Sequence, residues 1–202
     1  MCGLWKPRRP AQSGPWNIGC VNVGILKTEP ALSRRDLLAP SVAAALDAWG
    51  PDVSSSQILV AEIDPDLADT RAFCERYGVA LEQSANCVIL AARREGRGWF
   101  AACVVLATTR ADVNGVAKRH LGAAKISFAA MDAAVEASGM EYGGITPLGL
   151  PAGWPILIDQ GVAASDGVVV GSGLRRSKIW LPGAVLRQLP NAVVLASLGR
   201  SS

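Results

Sequence analysis

Apolar and polar positions along the chain follow different patterns, and each pattern predicts a different kind of element. Short apolar runs bounded by glycine, proline or aspartate are typical of strands. They predict strands at residues 58–63, 87–93, 99–107, 124–128, 155–159, 168–173, 178–181 and 193–197. Segments with helix start and stop signals predict helices at residues 37–49, 64–77, 112–121, 131–138 and 182–189.

Residues at the ends of these segments support the assignment. Asp64 and Asp112 are placed to cap the N-termini of two helices, and Gly78, Gly122 and Gly139 are placed to end three. Strands and helices mix without a strict βαβ alternation. The pattern therefore predicts a mixed α/β fold, in which helices surround a mixed β-sheet.

Length and composition fit one domain. The chain has 202 residues, half of them hydrophobic, which is enough for a sizeable core. Residues 1–30 contain proline, glycine and basic residues without any helical or strand period. We therefore expect a flexible tail over residues 1–30 and a single domain over residues 31–202. The net charge of +3 permits a polyanionic partner without requiring one, and no apolar run is long enough to span a membrane.

Cysteine and histidine are too few and too scattered to indicate a metal site. The five cysteines are an odd number, and neither a CxxC pair nor a histidine cluster accompanies them. Cys87 and Cys103 lie inside apolar strand-like runs, where cysteine usually acts as a small buried hydrophobic residue. We expect no metal, and a reduced, cytoplasmic setting.

One segment carries more candidate chemistry than the rest, namely GGITPLGLPAGWPILID at residues 143–159. Gly143 and Gly144 relax the steric limits on the backbone, and Pro147 fixes one dihedral angle. A plain connector rarely needs so many special residues. The segment therefore indicates a loop that points its own amides at a ligand, with a structural Gly/Pro connector as the alternative.

Three motifs occur in a characteristic order and spacing: GGITPLG at 143–149, LPAGWPILID at 150–159 and VVVGSGLRRSKIWL at 168–181. Together they resemble the YbaK/EbsC family, the aminoacyl-tRNA deacylases related to the editing insertion of prolyl-tRNA synthetases. The resemblance covers roughly residues 58–198. It implies a curved, barrel-like mixed β-sheet surrounded by helices. It also implies hydrolysis of the ester between a wrong amino acid and the 3′ end of tRNA.

The resemblance also implies partners and a catalytic loop. The partners are the acceptor end of a mischarged tRNA and an aminoacyl-tRNA synthetase, and no cofactor is expected. The family's Gly-x-x-x-Pro loop corresponds to Gly143, Gly144, Ile145, Thr146 and Pro147. Backbone amides of such a loop stabilise the negative charge on the ester carbonyl oxygen, and Thr146 offers a hydroxyl to the substrate. Water attacks, so a Ser-His-Asp triad is not needed.

Further site residues follow from the same resemblance. Asp159 matches the family's Ile-Asp pair and would bind the α-ammonium group of the aminoacyl moiety or brace the loop, while a plain cap of the turn before Gly161 is the alternative. Gly171, Ser172 and Gly173 match a small-residue turn that faces the pocket.

One position departs from the family pattern, because Asn86 stands where many members have a lysine. Asparagine forms hydrogen bonds but carries no charge. Arg175, Arg176 and Lys178 form a basic cluster near the expected pocket mouth, which either supplies the missing charge or is a solvated face. Two alternative functions stay open: a non-catalytic binder of an aminoacyl group or nucleotide, and an esterase that acts on small acyl compounds without tRNA.

Overall fold

A computed structural model of the chain describes residues 23–49 and 57–201. Its strands are β1 (Glu29–Pro30), β2 (Leu59–Glu62), β3 (Ala85–Arg94), β4 (Arg97–Leu106), β5 (Thr109–Ala111), β6 (Lys125–Phe128), β7 (Ile156–Asp159), β8 (Val168–Gly171), β9 (Ser177–Leu181), β10 (Ala192–Leu195) and β11 (Gly199–Ser201). Its α-helices are α1 (Pro40–Ala48), α2 (Thr70–Tyr77), α3 (Lys118–Leu121), α4 (Met131–Ser138), α5 (Gln160–Ala163) and α6 (Gly183–Leu186).

The strands form two main sheets and a small ribbon. The first sheet has the order β1-β2-β9-β8 and is antiparallel throughout. The second has the order β10-β7-β4-β3-β6, in which β7 runs parallel to both of its neighbours and the other pairs are antiparallel. A bridge between Ser84 and Val169 links the two sheets, and β5 pairs with β11. The predicted mixed α/β class is confirmed, although the described strands form two linked sheets rather than one closed barrel.

Both main sheets contribute to one hydrophobic core, because alternate residues of each strand face inward. Val60 and Ile179 come from the first sheet, and Ile89, Val104 and Ile158 come from the second. The opposite face of the second sheet packs against the segment that leads into α3. The first half of β3 lies beyond its pairing with β6, which begins at Leu90, so the start of β3 stays open on that side.

Helix ends agree well with the sequence. Gly78, Gly122 and Gly139 all adopt positive φ at helix C-termini, and the carboxylate of Asp112 accepts hydrogen bonds from two amides of the next turn. The helix predicted at 64–77 is instead broken: a 3-10 turn at Pro65–Leu67 precedes α2. A second acidic cap, Asp69, starts α2 because its carboxylate accepts from the amide of Arg71.

The predicted tail falls largely outside the described residues, which begin at Val23. Val23 is buried, and the strand β1 pairs with β2. The glycine and proline predicted to end the first helix, at positions 50 and 51, also lie outside the described residues. Within the described ranges, no helix combines the length and the apolar character needed to cross a membrane.

Candidate active site

A cleft of about 460 Å³ opens where the start of β3 meets β8, β9, the N-terminus of α2 and the loop that follows α4. This volume is in the usual range for a small-molecule site. Five of the predicted site residues line it, namely Asn86, Gly143, Ile145, Gly171 and Arg175. The fold therefore brings together residues that lie far apart in the sequence.

The predicted catalytic loop forms one wall of the cleft. The N–H of Gly144 is already engaged, since it donates to the carbonyl of Glu141 at 3.0 Å. Within the described part of the chain, the N–H groups of Gly143 and Ile145 donate no hydrogen bond. Because both residues line the cleft, the loop has two uncommitted backbone donors beside it.

Close packing against the turn that follows β8 holds this loop in place. The carbonyl of Gly144 accepts a hydrogen bond from Gly173 at 2.8 Å. A Cβ on Gly144 would lie 2.5 Å from the carbonyl carbon of Leu174, and a Cβ on Gly171 would overlap the carbonyl of Gly144. These glycines are required because two backbone segments touch, and the contact fixes the loop geometry.

The remaining residues of the small-residue turn shape the site without lining it. Ser172 is fully buried, and its hydroxyl bonds to the hydroxyl of Ser177 at 2.7 Å. Gly173 has a φ of +83° and packs tightly against Ala39. Of the predicted turn residues, Gly171 alone lines the cleft.

The cleft contains a buried cation that comes from β9. Lys178 is 8% exposed, and its Nζ donates to the carbonyls of Ala68 at 2.9 Å and Gly143 at 3.2 Å. No carboxylate among the described residues forms an ion pair with it. Burial lowers the pKa of Lys178 from 10.5 to about 8. A buried ammonium group without a carboxylate partner beside a cleft is suited to bind a negatively charged or strongly polar ligand.

Arg175 lies at the mouth of the cleft. Its backbone N–H donates to the carboxylate of Glu141 at 2.6 Å. Its guanidinium group lies 5.4 Å from the centre of the Tyr142 ring and donates to the carbonyl of that residue at 3.4 Å. Arg176 instead turns away to the carbonyl of Asp36. The basic cluster predicted from the sequence is thus divided, since two of its three members line the cleft.

A polar group of three residues completes the cleft at the junction of α2 and β3. The side-chain oxygen of Asn86 accepts a hydrogen bond from the hydroxyl of Thr70 at 2.6 Å. Asp69 lies next to Thr70 and is the sole carboxylate that lines the cleft within the described part of the chain. This part of the cleft therefore offers a negative charge together with neutral hydrogen-bonding groups.

Three predicted residues lie away from the cleft. Asp159 is 8% exposed, and its carboxylate accepts hydrogen bonds from the amides of Gly161 and Gly199, each at 2.8 Å. This is the turn-capping alternative, extended by a contact to the C-terminal strand. Thr146 is fully buried, and Pro147 lines a separate apolar groove with Trp154.

The contacts of Asp159 predict a loss of stability when it is replaced. We expect Asp159→Ala to lower the free energy of unfolding by about 2 kcal/mol, because the amides of Gly161 and Gly199 lose a charged acceptor that is itself buried. Urea unfolding followed by circular dichroism measures this change. The activity of the remaining folded protein should stay normal. A loss of activity at unchanged stability would instead show that Asp159 takes part in binding or catalysis.

Sequence reasoning did not identify three residues of the cleft as site residues: Lys178, Asp69 and Thr70. The sequence places Lys178 in a basic cluster that either supplies charge at the pocket mouth or is a solvated face, and its position in the apolar strand run SKIWL is a further signal of burial. The sequence places Asp69 and Thr70 inside the helix predicted at residues 64–77, where they give no signal of a site. Among the described residues, no group of three His, Cys, Asp or Glu side chains is arranged to hold a metal ion.

Comparison with known proteins confirms the resemblance. No curated protein matches the chain. A protein provisionally assigned as a trans-editing enzyme for prolyl-tRNA synthetase has a TM-score of 0.66 at 20% identity, over 81% of this chain and 97% of that one. A protein described only as hypothetical has a TM-score of 0.62 at 20% identity, over 70% and 90% of the two chains. These similarities show a shared fold. The family model for the aminoacyl-tRNA editing domain matches residues 64–189, more than half of the sequence, and the chain therefore belongs to that family.

Proposed function

We propose that the protein is a free-standing deacylase that hydrolyses the ester between a mischosen amino acid and the 3′ end of tRNA. The observation that carries this proposal is the cleft wall in which two uncommitted backbone donors, at Gly143 and Ile145, lie beside the buried ammonium group of Lys178. Membership of the editing-domain family supports it. The cytoplasmic location and the synthetase partner remain predictions.

The proposed reaction needs donors rather than a protein nucleophile. Water adds to the ester carbonyl carbon, and negative charge develops on the carbonyl oxygen. Preorganised donors that point at this oxygen stabilise it, which is often the largest single contribution to catalysis. The acyl–oxygen bond then breaks, so the amino acid leaves with a free carboxyl group and the ribose hydroxyl regains its proton.

The candidate nucleophiles in the cleft are poorly suited to attack the ester. Burial raises the pKa of the Cys87 thiol well above its ordinary value, which leaves it protonated. The one histidine of the chain, His120, is exposed on α3 and does not line the cleft, so Ser84 has no histidine to act as its base there. Direct attack by water is therefore the reaction that this site supports best.

In this proposal Lys178 supplies the positive charge that Asn86 lacks. Both residues line the same cleft, although they come from different strands. The Nζ of Lys178 is already bonded to the carbonyl of Gly143, which places it next to the catalytic loop. A small change in the direction of its third N–H would let it donate to the ester carbonyl oxygen as charge develops there.

Asp69 takes the role first given to Asp159. An aminoacyl ester carries an α-ammonium group, and a carboxylate is the natural partner for it. Asp69 is the carboxylate that the described part of the cleft provides, and it is exposed and therefore accessible to a ligand. We propose that Asp69 binds the α-ammonium group and thereby orients the ester toward the loop.

Asp69→Asn gives this role a sharp test. We expect the variant to hydrolyse aminoacyl-tRNA about 10-fold more slowly, because it loses a charged hydrogen bond of more than 1 kcal/mol. Hydrolysis of the same tRNA with an N-acetylated amino acid should be equal in the variant and the unsubstituted protein, since that substrate has no α-ammonium group. Asp66→Asn is the matched control, because Asp66 is exposed and lies outside the cleft. Equal losses with both substrates would contradict the assignment.

The direct experiment is to incubate the purified protein with tRNA charged separately with alanine, cysteine and proline, and to follow loss of the ester. We expect selective hydrolysis of at least one of these esters, and much slower hydrolysis by Lys178→Met. Asn86 favours a second candidate function, a binder without turnover, because Thr70 already occupies its side-chain oxygen. Saturable binding of aminoacyl-tRNA with no hydrolysis above the buffer rate would support that second function.

A further inference from the structure

Three large apolar side chains surround the mouth of the cleft while facing solvent. Phe128 is 60% exposed, Met131 is 48% exposed and Tyr142 is 56% exposed. All three line the cleft. Only three other large hydrophobic residues in the described part of the chain are comparably exposed, and none of them lines it. Exposed apolar groups gathered at one place mark an interaction site more often than isolated ones do. We call these three residues the rim.

The local structure explains why the rim residues point outward. Phe128 is the last residue of β6, and Met131 is the first residue of α4. Tyr142 follows the end of α4 and directly precedes the catalytic loop. The helix has eight residues and is therefore about 12 Å long. The rim thus has one member beside the loop and two near the other end of α4.

A positively charged group lies at the rim. The guanidinium group of Arg175 lies 5.4 Å from the centre of the Tyr142 ring, a distance typical of a cation–π contact. Its hydrogen bond to the backbone carbonyl of Tyr142 places the guanidinium group beside Gly143. An aromatic ring paired with an arginine provides a surface for stacking together with a positive charge for a phosphate.

We propose that the rim is a stacking platform for the unpaired nucleotides at the 3′ end of the tRNA, an inference that rests on the proposed function. The ester oxygen belongs to the ribose of the terminal nucleotide. The terminal base is joined to the same ribose. When the ester is held at Gly143 and Ile145, this base therefore lies near the cleft mouth, where Tyr142 lies. Stacking on an aromatic side chain needs no base-specific hydrogen bond. Because the 3′ end is common to all tRNAs, this contact would not select among them.

The first test measures binding of the trinucleotide CCA, which has the sequence of the tRNA 3′ end, by isothermal titration calorimetry at low salt. We expect Tyr142→Ala and Phe128→Ala each to weaken binding about 10-fold, the effect of losing one stacked base. Ile25→Ala is the matched control, because Ile25 is 65% exposed and lies outside the cleft. It should bind like the unsubstituted protein. Failure of the unsubstituted protein to bind CCA, or equal affinities in all variants, would overturn the platform.

The second test separates the platform from the proposed reaction. Tyr142→Ala should raise KM for aminoacyl-tRNA about 10-fold and leave kcat unchanged, while hydrolysis of an aminoacyl ethyl ester, which has no nucleotide, stays the same. If the unsubstituted protein hydrolyses neither substrate, the deacylase proposal fails, and CCA binding alone decides the platform. If Tyr142→Ala and Phe128→Ala instead abolish self-association measured by sedimentation, and CCA binding is unaffected, the rim is an interface between copies.

Discussion

Replacing Lys178 by methionine should reduce kcat/KM for aminoacyl-tRNA about 100-fold, which corresponds to about 2.7 kcal/mol of transition-state stabilisation. Methionine has a similar length and no charge, so the substitution removes the cation and keeps most of the packing. Lys178 is the cation that lies inside the described cleft and contacts the catalytic loop. Steady-state hydrolysis of charged tRNA by both proteins measures the effect.

The matched control is Lys27→Met, since Lys27 is exposed and does not line the cleft. That variant should keep full activity. Full activity in Lys178→Met would show that the loop amides act without the charge of Lys178. It would leave the basic residue at the cleft mouth, Arg175, as the alternative source of positive charge.

Stability separates a functional role for Lys178 from a structural one. The folded state holds this proton more weakly than the unfolded chain, because the pKa falls from 10.5 to about 8. Below pH 8 the charged group therefore opposes folding by about 3 kcal/mol, and this cost disappears as the pH rises toward 10.5. We expect Lys178→Met to unfold at no lower temperature than the unsubstituted protein at pH 7.

The same pKa gives the expected pH dependence. Activity that needs the ammonium form should fall as the pH rises through about 8, after subtraction of the spontaneous alkaline hydrolysis of the ester. The charged or titratable groups that act on Lys178 are Cys74 on α2, Asp69 at its N-terminus and Arg175 at the cleft mouth. The fall should be absent from the residual activity of Lys178→Met. Its persistence there would assign the titration to another group.

Replacing Gly144 by alanine has the second largest expected effect, and it acts on stability and activity together. The new Cβ would lie 2.5 Å from the carbonyl carbon of Leu174 and 2.9 Å from its nitrogen, so one of the two backbone segments must move. Forced overpacking of this kind typically costs 1–3 kcal/mol, and we expect a loss of about 2 kcal/mol or more in the free energy of unfolding. The displaced loop should also lose most of its activity, because the donors no longer point at the carbonyl oxygen.

Gly98→Ala is the matched control for this substitution. A Cβ on Gly98 would meet nothing closer than 3.8 Å, and its φ is not in the left-handed region. Thermal unfolding and hydrolysis are measured for both variants and for Gly143→Ala. In Gly143→Ala the new Cβ would press against only the flexible end of the Arg175 side chain, but residue 143 has a φ of +79°. We therefore expect this variant to lose about 1 kcal/mol in the free energy of unfolding. Normal stability in Gly144→Ala would show that the two segments are not held together as tightly as described.

Much of the fold was predictable because its signals are local. The glycines at 78, 122 and 139 end helices where the sequence places them, since a left-handed residue is needed there whatever surrounds the helix. The hairpin of β3 and β4 turns at Glu95 and Gly96, both with positive φ, within the polar segment between two apolar runs. The break between residues 65 and 70 was not predicted, although Asp69 is itself a local signal: its carboxylate caps α2 and starts a new helix after the 3-10 turn.

The sequence by itself determined most of the longer strands, several helix ends, the mixed α/β class and the family, since these depend on periodicity, on helix-ending residues and on motifs with fixed spacing. Only the tertiary structure decided which side chains meet in the cleft. Register is the physical reason: in a strand, neighbouring residues point to opposite faces, and the pairing of the strands decided that the side chain of Lys178 enters the cleft. Asp159 ends a strand of the other sheet, where its carboxylate accepts hydrogen bonds from the amides of Gly161 and Gly199. The bond from Gly199 joins residues 40 positions apart in the sequence.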